Sequence, residues 1–380
     1  MAEQIGIGVL GYSIGRAHSH AWKSVAEYYY PTKLVPRLVA IAGRKSGAAL
    51  EAERFGFERV YSGWRSLVDD EDVDLVDNCL PVYLHPEPMI LAAKLGKSLF
   101  CEKPLARRAA DAKRMLDAAE KAKVPHMAGY NYRFFPSVAL AKKMVQRGDI
   151  GEVRYFKAGY LTTNGGFDSP SFPLRWVHRS AQSGYGALSD LGTHAVDLAR
   201  FVVGEVRSVS GAAETFIHER PLKAGGRRKG KVDVDDLTIA SVRFREGGVG
   251  FLEASWLTAG RMDYLNFEVY GSEGSLRWNL ERVNELDVFR TKFGGNGGYR
   301  TLNVLSKEYE YVAPYWPNQS SGAGWEHSYV NEFAHFLSCI AERRPVGPQG
   351  ATFLDGYRNC LIMDAIAESA RRRRWVDVAG

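Results

Sequence analysis

The first third of the chain alternates short apolar runs with segments of helical periodicity, and this alternation limits the possible folds more than any other feature. The runs are apolar over most of their length, as expected of strands that are covered by helices on both faces. They fall at residues 5–11, 38–43, 73–81, 98–104 and 126–132, with helical patterns near 16–29, 46–55, 85–95 and 106–123. The pattern predicts an α/β domain with a doubly wound parallel sheet over residues 1–132.

After about residue 150 the pattern changes to β-rich segments bounded by glycine or charged turns. These segments lie at residues 153–161, 237–244, 249–256, 264–271 and 274–280, and helical patterns follow at 192–203, 325–343 and 352–373. We predict a second, α+β domain over residues 133–380, with a large, mainly antiparallel open sheet and with the C-terminal helix 352–373 closing the fold. We expect this domain to bind substrate and to support oligomerisation.

Composition excludes several classes of function. The chain is 45% hydrophobic, and its 380 residues are more than a single hydrophobic core usually organises. The net charge of +6 is a mild excess of positive charge, and no nucleic-acid-binding motif accompanies it. The four cysteines show no metal or disulfide spacing, and no apolar stretch reaches the roughly 18 residues of a membrane span. We therefore expect a cytoplasmic protein that binds neither membrane nor nucleic acid.

The first predicted strand runs into Gly11, Tyr12, Ser13, Ile14 and Gly15, and a helical pattern follows. Backbone N–H groups at such a strand-to-helix turn bind the pyrophosphate of a dinucleotide. The usual middle glycine is replaced by Ser13, so the turn alone also fits an ordinary tight connection. Its position in an alternating β/α domain favours a dinucleotide site of Rossmann type.

The end of the second strand distinguishes the two nicotinamide cofactors. An NAD site normally has a carboxylate there, which binds the adenine ribose. This chain has Gly43, Arg44, Lys45 and Ser46 instead, and these side chains suit a 2′-phosphate. NADP is therefore favoured, while NAD stays possible if Arg44 and Lys45 only stack on adenine or face solvent.

Two further motifs carry the chemistry. Glu102, Lys103 and Pro104 stand at the carboxyl end of the fifth strand, where this architecture places its ligands. A lysine there can exchange a proton with an alcohol as hydride leaves the carbon. Asp190 is a candidate helix N-cap, and His194 follows four residues later on the same predicted face.

The pair His18 and His20 is the only metal-like spacing in the sequence, and no other ligands occur at zinc spacing. Hydride transfer to nicotinamide needs no metal. We therefore predict that no metal is bound.

Together these motifs resemble the Gfo/Idh/MocA oxidoreductases. The resemblance rests on the glycine loop, Glu102-Lys103-Pro104, Asn131-Tyr132-Arg133-Phe134 and Asp190-x-Gly192-x-His194-x-x-Asp197, in this order along nearly the whole chain. It departs from the family at Val82, where an asparagine is common, and at Arg175-Trp176, where the order is often reversed. These departures concern the substrate pocket more than the chemistry.

The resemblance implies hydride transfer between NAD(P) and a secondary hydroxyl or keto carbon of a sugar, anhydrosugar, glycoside or cyclitol, in a homodimer or homotetramer. It implies that the catalytic residues are Lys103, Asp190 and His194. The cofactor residues are then Gly11, Tyr12, Ser13, Ile14, Gly15, Gly43, Arg44, Lys45, Ser46, Pro81, His85, Glu102 and Lys103. The substrate residues are Lys103, Tyr132, Arg133, Arg175, Trp176, Asp190 and His194.

Two alternatives share this fold. An NAD-dependent glycosidase would oxidise its substrate only transiently and form no net NAD(P)H. A sugar or nucleotide sensor would bind without turnover, but such a binder has no need of the proton-transfer group Lys103.

Overall fold

The computed structural model describes residues 3–163, 166–293, 297–315 and 322–379. The helices are α1 (Gly15–Tyr28), α2 (Lys45–Phe55), α3 (Trp64–Val68), α4 (Pro86–Lys94), α5 (Ala109–Ala122), α6 (Pro136–Gln146), α7 (Ser180–Ser183), α8 (Thr193–Val202), α9 (Trp325–Glu342) and α10 (Phe353–Arg372).

The strands of the parallel sheet are β1 (Glu3–Leu10), β2 (Leu34–Ala42), β3 (Arg59–Tyr61), β4 (Leu75–Asn78), β5 (Ser98–Glu102) and β6 (His126–Gly129). The later strands are β7 (Val153–Leu161), β8 (Val206–Glu214), β9 (Glu219–Pro221), β10 (Lys229–Lys231), β11 (Leu237–Phe244), β12 (Val249–Ser255), β13 (Tyr264–Gly271), β14 (Gly274–Asn279), β15 (Glu285–Arg290), β16 (Arg300–Asn303) and β17 (Val376–Asp377).

The chain forms two compact units. The first comprises Met1–Phe135 and Ser306–Tyr357, and the second comprises Pro136–Leu305 and Arg358–Gly380. The sequence placed all of residues 133–380 in one domain, whereas Ser306–Tyr357 groups with the first unit. The physical reason is α9, which packs against α1 of the first unit.

The first unit contains a six-stranded parallel sheet in the order β3-β2-β1-β4-β5-β6. This confirms the predicted doubly wound sheet, with the short strand β3 and helix α3 as elements that the sequence pattern did not predict. In the register, Leu10 pairs with Ala42 and with Asn78, and Asn78 pairs with Cys101. The carboxyl ends of β1, β2, β4 and β5 therefore meet at one edge of the sheet.

Helices α1 and α9 share a buried aromatic cluster within the first unit. Trp22 on α1 is fully buried and stacks on Phe333 of α9, with ring centroids 3.8 Å apart and planes 10° apart. Phe100 of β5 packs edge-on against Phe333 at 4.9 Å. This cluster holds α9 in the first unit although about 200 residues separate it from the sheet in sequence.

The second unit is built on a nine-stranded sheet in the order β16-β15-β14-β13-β7-β12-β11-β8-β17. Only β7 and β12 pair in parallel among its described strands, so the sheet is mainly antiparallel, as predicted. A separate two-stranded ribbon joins β9 to β10.

Side chains of this sheet alternate between a buried and a partly exposed face. Leu265, Phe267 and Val269 of β13 are fully buried within the chain itself. These three side chains therefore belong to the core of the second unit. Glu268 and Tyr270 of the same strand point to the other, partly exposed face.

Helix α10 begins in the first unit and ends in the second. Within the described ranges, no helix combines the length and the apolar character that crossing a membrane requires.

Candidate active site

The turn after β1 has the properties of a phosphate-binding loop. Gly11 has a φ of 87°, and a Cβ there would lie 2.8 Å from the Cys79 carbonyl oxygen, so only glycine fits without a shift. Helix α1 then starts at Gly15 without a side-chain cap and without an acidic residue in its first turn. Such a helix start favours an anionic group. The predicted cofactor loop therefore fits a dinucleotide.

The end of β2 lies beside this loop. The ring of Tyr12 lies over Gly43 and Gly47, where an added Cβ would approach ring atoms to 2.8 Å and 2.3 Å. Arg44 precedes α2 with its side chain exposed, and the first turn of α2 has no acidic residue. The side chain of Lys45 lies outside the described part of the chain. Tyr12 and the exposed Arg44 therefore lie at the carboxyl end of β2, and the preference for NADP stays a prediction.

His85, a predicted cofactor residue, has two backbone neighbours. Its Nε2 lies 2.7 Å from the Leu80 carbonyl oxygen and its Nδ1 lies 3.1 Å from that of Leu105. Burial lowers the pKa of His85, although the contacts with the two carbonyl oxygens oppose the fall. The ring ties the segment that contains Pro81 to the segment after β5, and its contact with a cofactor stays a prediction.

Lys103 directly follows β5 and is half-buried. The carboxylate of Glu102 accepts a hydrogen bond from the backbone N–H of Lys103, at 3.1 Å. Glu102 itself is 5% exposed. A buried carboxylate therefore fixes the backbone of Lys103 at the edge of the sheet.

Tyr132 and Arg133 are buried in the first unit. The Tyr132 hydroxyl accepts a hydrogen bond from Trp325 Nε1 at 3.3 Å, and Arg133 lies 3.8 Å from the Asp355 carboxylate. These contacts give both residues a role in packing. Their predicted contact with substrate is not established by this arrangement.

The second unit carries Asp190 and His194 in one helical segment. Asp190 lies within a π-helical turn, Leu188–Gly192, which runs directly into α8. Its backbone N–H already donates to the Gly186 carbonyl at 3.0 Å, so it is not the helix N-cap that the sequence indicated. His194 is 4% exposed, and its ring lies 5.7 Å from that of Tyr160.

Asp197 has a different environment from Asp190. It is buried and accepts a hydrogen bond from Asn359 Nδ2 at 2.9 Å, and Asn359 in turn accepts one from Arg200 at 2.8 Å. The carboxylate of Asp190 instead accepts a hydrogen bond from Trp256 Nε1 at 3.1 Å. Asp197 is therefore a structural residue of α8, whereas Trp256 orients Asp190.

A residue that the sequence analysis did not single out fixes the π-helical turn. The buried Asp235 carboxylate accepts hydrogen bonds from the N–H groups of Gly186 and Leu188, at 2.7 and 2.8 Å, and from the Thr238 hydroxyl at 2.8 Å. Burial raises the pKa of Asp235, although these three hydrogen bonds oppose the rise. A Cβ on Gly186 would lie 1.9 Å from the Asp235 carbonyl oxygen, which explains the glycine.

The predicted substrate residues Arg175 and Trp176 precede His178. Arg175 is exposed and Trp176 is half-buried. His178 Nδ1 accepts the backbone N–H of Arg175 at 3.0 Å, and its ring lies edge-on to Trp256 at 5.8 Å. Burial, with help from the nearby guanidinium groups of Arg220 and Arg175, lowers the pKa of His178 to about 4. A neutral histidine thus packs beside the tryptophan that binds Asp190.

The two histidines of the metal-like pair separate in the structure. His18 is fully buried, while the side chain of His20 is 52% exposed. His18, Asp77 and Cys79 each place one polar atom within 4.8 Å of the others. His18 Nδ1 lies 3.1 Å from a carboxylate oxygen of Asp77 and 3.1 Å from the Cys79 sulfur. The predicted absence of a metal stays a prediction.

Comparison with known proteins agrees with this arrangement. Residues 5–130 match the oxidoreductase family with an NAD-binding Rossmann fold, and residues 138–277 match the GFO/IDH/MocA C-terminal domain. Levoglucosan dehydrogenase of Pseudarthrobacter phenanthrenivorans is 39% identical, over 99% of this chain and 98% of its own length. Myo-inositol 2-dehydrogenase of Thermotoga maritima is 28% identical, over 97% of each chain.

A solved structure shows the same architecture. Levoglucosan dehydrogenase in complex with NADH and levoglucosan superposes with a TM-score of 0.94 at 39% identity, and the match covers 100% of both chains. Both matched regions and this full-length similarity agree with the resemblance found in the sequence. The chain therefore belongs to the Gfo/Idh/MocA family of oxidoreductases.

Proposed function

We propose that the chain is an NAD(P)-dependent dehydrogenase or reductase that acts on a secondary hydroxyl or keto carbon of a sugar, anhydrosugar, glycoside or cyclitol. The observation that carries the proposal is the retention of Lys103 after β5 together with Asp190 and His194 before and in α8, in a chain of this family. Relatives that act on levoglucosan and on myo-inositol support this class of substrate.

The bound nicotinamide supplies the acceptor for hydride when the alcohol is oxidised. The loop Gly11–Gly15, residues 43–46, Pro81, His85 and the Glu102-Lys103 pair would hold this cofactor. Lys103 would accept the hydroxyl proton as the carbonyl forms, His194 would hydrogen-bond the same oxygen, and Asp190 would orient the substrate. Trp256 and Asp235 keep Asp190 in place through the contacts described above.

The proposed function is tested with a panel of sugars, anhydrosugars, glycosides and inositols, each assayed with NAD and with NADP. Reduced nicotinamide is followed by its absorbance at about 340 nm. Net formation of NAD(P)H identifies a dehydrogenase. Cleavage of a glycoside without net reduced cofactor identifies the transient oxidation of a glycosidase. Binding without turnover of any compound identifies a sensor.

Cofactor choice gives the next prediction. We expect NADP to be preferred, because each charged contact between Arg44 or Lys45 and the 2′-phosphate contributes about 1 to 3 kcal/mol. Arg44→Ala should therefore lower kcat/KM for NADP by about tenfold and leave that for NAD unchanged. Arg54→Ala, at the other end of α2, is the control. The related levoglucosan dehydrogenase was solved with NADH, so the opposite preference is a real alternative. A wild-type enzyme that prefers NAD by more than about tenfold in kcat/KM would contradict the prediction.

His194 gives a prediction about pH. For oxidation, kcat/KM should rise from about pH 6 toward 9, because the groups at the reacting hydroxyl must be able to accept its proton. His194→Asn keeps a hydrogen-bonding side chain but removes the titrating ring, so the profile should shift while cofactor affinity is retained. The pH profile and the cofactor Kd are measured on the same preparation. An unchanged profile with unchanged turnover would make His194 a structural residue.

Assembly is the remaining prediction of this group. We propose that the partly exposed face of the nine-stranded sheet, which carries Tyr264, Glu268 and Tyr270 on β13, pairs between subunits in a homodimer or homotetramer. Light scattering should give a mass of two or four times 42.3 kDa. A monomer mass at every concentration would contradict it.

We propose a cytoplasmic setting. All four cysteines lie in the described ranges and are buried thiols that form no disulfide, as is usual in a reducing compartment.

A further inference from the structure

A buried cluster of charged side chains lies next to Lys103 in the first unit. It consists of His18 on α1, Asp77 on β4 and Glu102 at the end of β5. His18 and Asp77 are completely buried, and Glu102 is 5% exposed. The functional roles proposed above do not use His18 or Asp77, so the cluster needs its own explanation.

The contacts of His18 define its charge. Its Nδ1 lies 3.0 Å from a carboxylate oxygen of Asp77, and its Nε2 lies 3.1 Å from a carboxylate oxygen of Glu102. An ionised carboxylate only accepts hydrogen bonds, and a neutral imidazole has a single N–H. Two ionised partners therefore require both ring nitrogens to be protonated. Although burial opposes the charge, the electrostatic interactions and hydrogen bonds of His18 with Asp77 and Cys79 raise the pKa of His18 well above its usual value.

Each carboxylate has a second partner. Asp77 accepts a hydrogen bond from Trp22 Nε1 at 2.8 Å, which ties it to the aromatic cluster of α1 and α9. Glu102 accepts the backbone N–H of Lys103 with its other oxygen, at 3.1 Å. A continuous set of contacts therefore runs from Asp77 through His18 and Glu102 to the backbone of Lys103.

Aromatic rings and a buried carboxyl group surround this set of contacts. The ring of His18 contacts those of Phe100, Tyr329 and Phe333, with centroids 4.8 to 5.6 Å apart. Glu332 of α9 is buried nearby, and neither of its carboxylate oxygens has a described partner. Burial and the charge of Glu102 raise the pKa of Glu332 well above its usual value, although His18 and Arg133 oppose the rise.

We propose that His18 is a positioning residue whose imidazolium holds the Glu102 carboxylate, and that this carboxylate fixes the backbone from which the Lys103 amine reaches the substrate. The proposal rests on the proposed function in one respect, the role of Lys103 in proton transfer. It gives the buried cluster of His18, Asp77 and Glu102 a function, because a shift of about 1 Å at a reacting group can cost about 100-fold in rate.

The charge of His18 is tested without any substrate. Long-range ¹H–¹⁵N spectra are recorded at pH 8 on protein labelled at the histidine ring nitrogens, and His18→Gln identifies the signal of His18. We expect two protonated nitrogens. One unprotonated nitrogen, which would mean that Glu102 or Asp77 carries the proton, overturns the proposal. A metal-bound nitrogen overturns it as well.

The positioning role is tested by kinetics on the substrate that the panel identifies. His18→Gln should lower kcat by about 10- to 100-fold, with the cofactor Kd and substrate KM changed by less than about threefold. His335→Gln is the matched control, because that histidine lies in the same unit and contacts only the Val346 carbonyl and Cys339 among the polar groups described. It should keep its kcat.

Two outcomes of the kinetic test count against the proposal. A folded His18→Gln variant with wild-type kcat overturns it, and so does an equal loss in His335→Gln. If His18→Gln does not fold, Asp77→Asn replaces it, since this change removes one charged partner of His18 and should also lower kcat. A wild-type chain that is inactive on the whole panel contradicts the proposed function instead, and the spectra then decide the charge of His18.

Discussion

Lys103→Met is expected to lower turnover by about 100-fold or more, because removal of the proton acceptor leaves a protonated alcohol from which hydride departs very slowly. Methionine has nearly the length of lysine and keeps the apolar part of the side chain. The N–H of residue 103 can still donate to Glu102, since that contact uses the backbone. Turnover and cofactor Kd are measured for both proteins, so that a loss of turnover can be separated from a loss of cofactor binding.

Lys113→Met is the control for this experiment. Lys113 lies on α5 with 49% of its side chain exposed and pairs with Asp117 four residues later. The loss of this exposed ion pair should change the free energy of unfolding very little. Turnover should therefore stay unchanged, because no step of the proposed reaction uses Lys113. Near wild-type turnover of a folded Lys103→Met protein would remove Lys103 from the mechanism.

The parallel sheet could be predicted because its strands are buried on both faces and therefore apolar throughout. The predicted helix at residues 46–55 corresponds to α2, and the run at residues 98–104 contains β5. Strand β3 escaped prediction because it has only three residues and exposes Val60. So short a segment shows no period that could be recognised.

The place of α9 could not be predicted from its own sequence. Its helical pattern at residues 325–343 is clear, but a pattern does not say which sheet the apolar side contacts. Trp22 and Phe333 stack although they are about 300 residues apart. Only the tertiary structure shows that the segment Ser306–Tyr357 belongs to the first unit.

The candidate site shows the same division. The motifs that contain Lys103, Asp190 and His194 were recognisable because their spacing is local. The residues that hold them are distant in sequence: Trp256 is 66 residues from Asp190, and His18 is 84 from Glu102. Asp235 lay in a run that the sequence analysis did not assign to the site. The helix start at Asp190 was wrong because a π-helical turn adds residues ahead of α8, and the spacing of polar residues does not indicate such a turn.

The stacking of α9 on α1 leads to the second large effect. Trp22→Ala should lower the free energy of unfolding by about 3 to 5 kcal/mol, because it removes a fully buried ring and leaves a cavity. It also deprives the buried Asp77 carboxylate of the Trp22 N–H. Trp22→Phe keeps an aromatic ring against Phe333 but loses the N–H and the volume of the second ring, at a cost of about 1 to 3 kcal/mol.

Both variants are measured by urea denaturation followed by circular dichroism, with Trp64→Ala as the control. Trp64 begins α3 in the same unit and is partly exposed, so its loss should cost about 1 kcal/mol or less. If Trp22→Ala lowered the free energy of unfolding by no more than Trp64→Ala does, the contact between α1 and α9 would not stabilise the first unit. If Trp22→Phe lowered the free energy of unfolding as much as Trp22→Ala does, the hydrogen bond to Asp77 would contribute more to stability than the stacking on Phe333. We expect Trp22→Ala to be much less stable than Trp22→Phe, and Trp22→Phe to be less stable than the wild-type protein. This order of stability requires both the packed ring of Trp22 and the buried Asp77 carboxylate beside it.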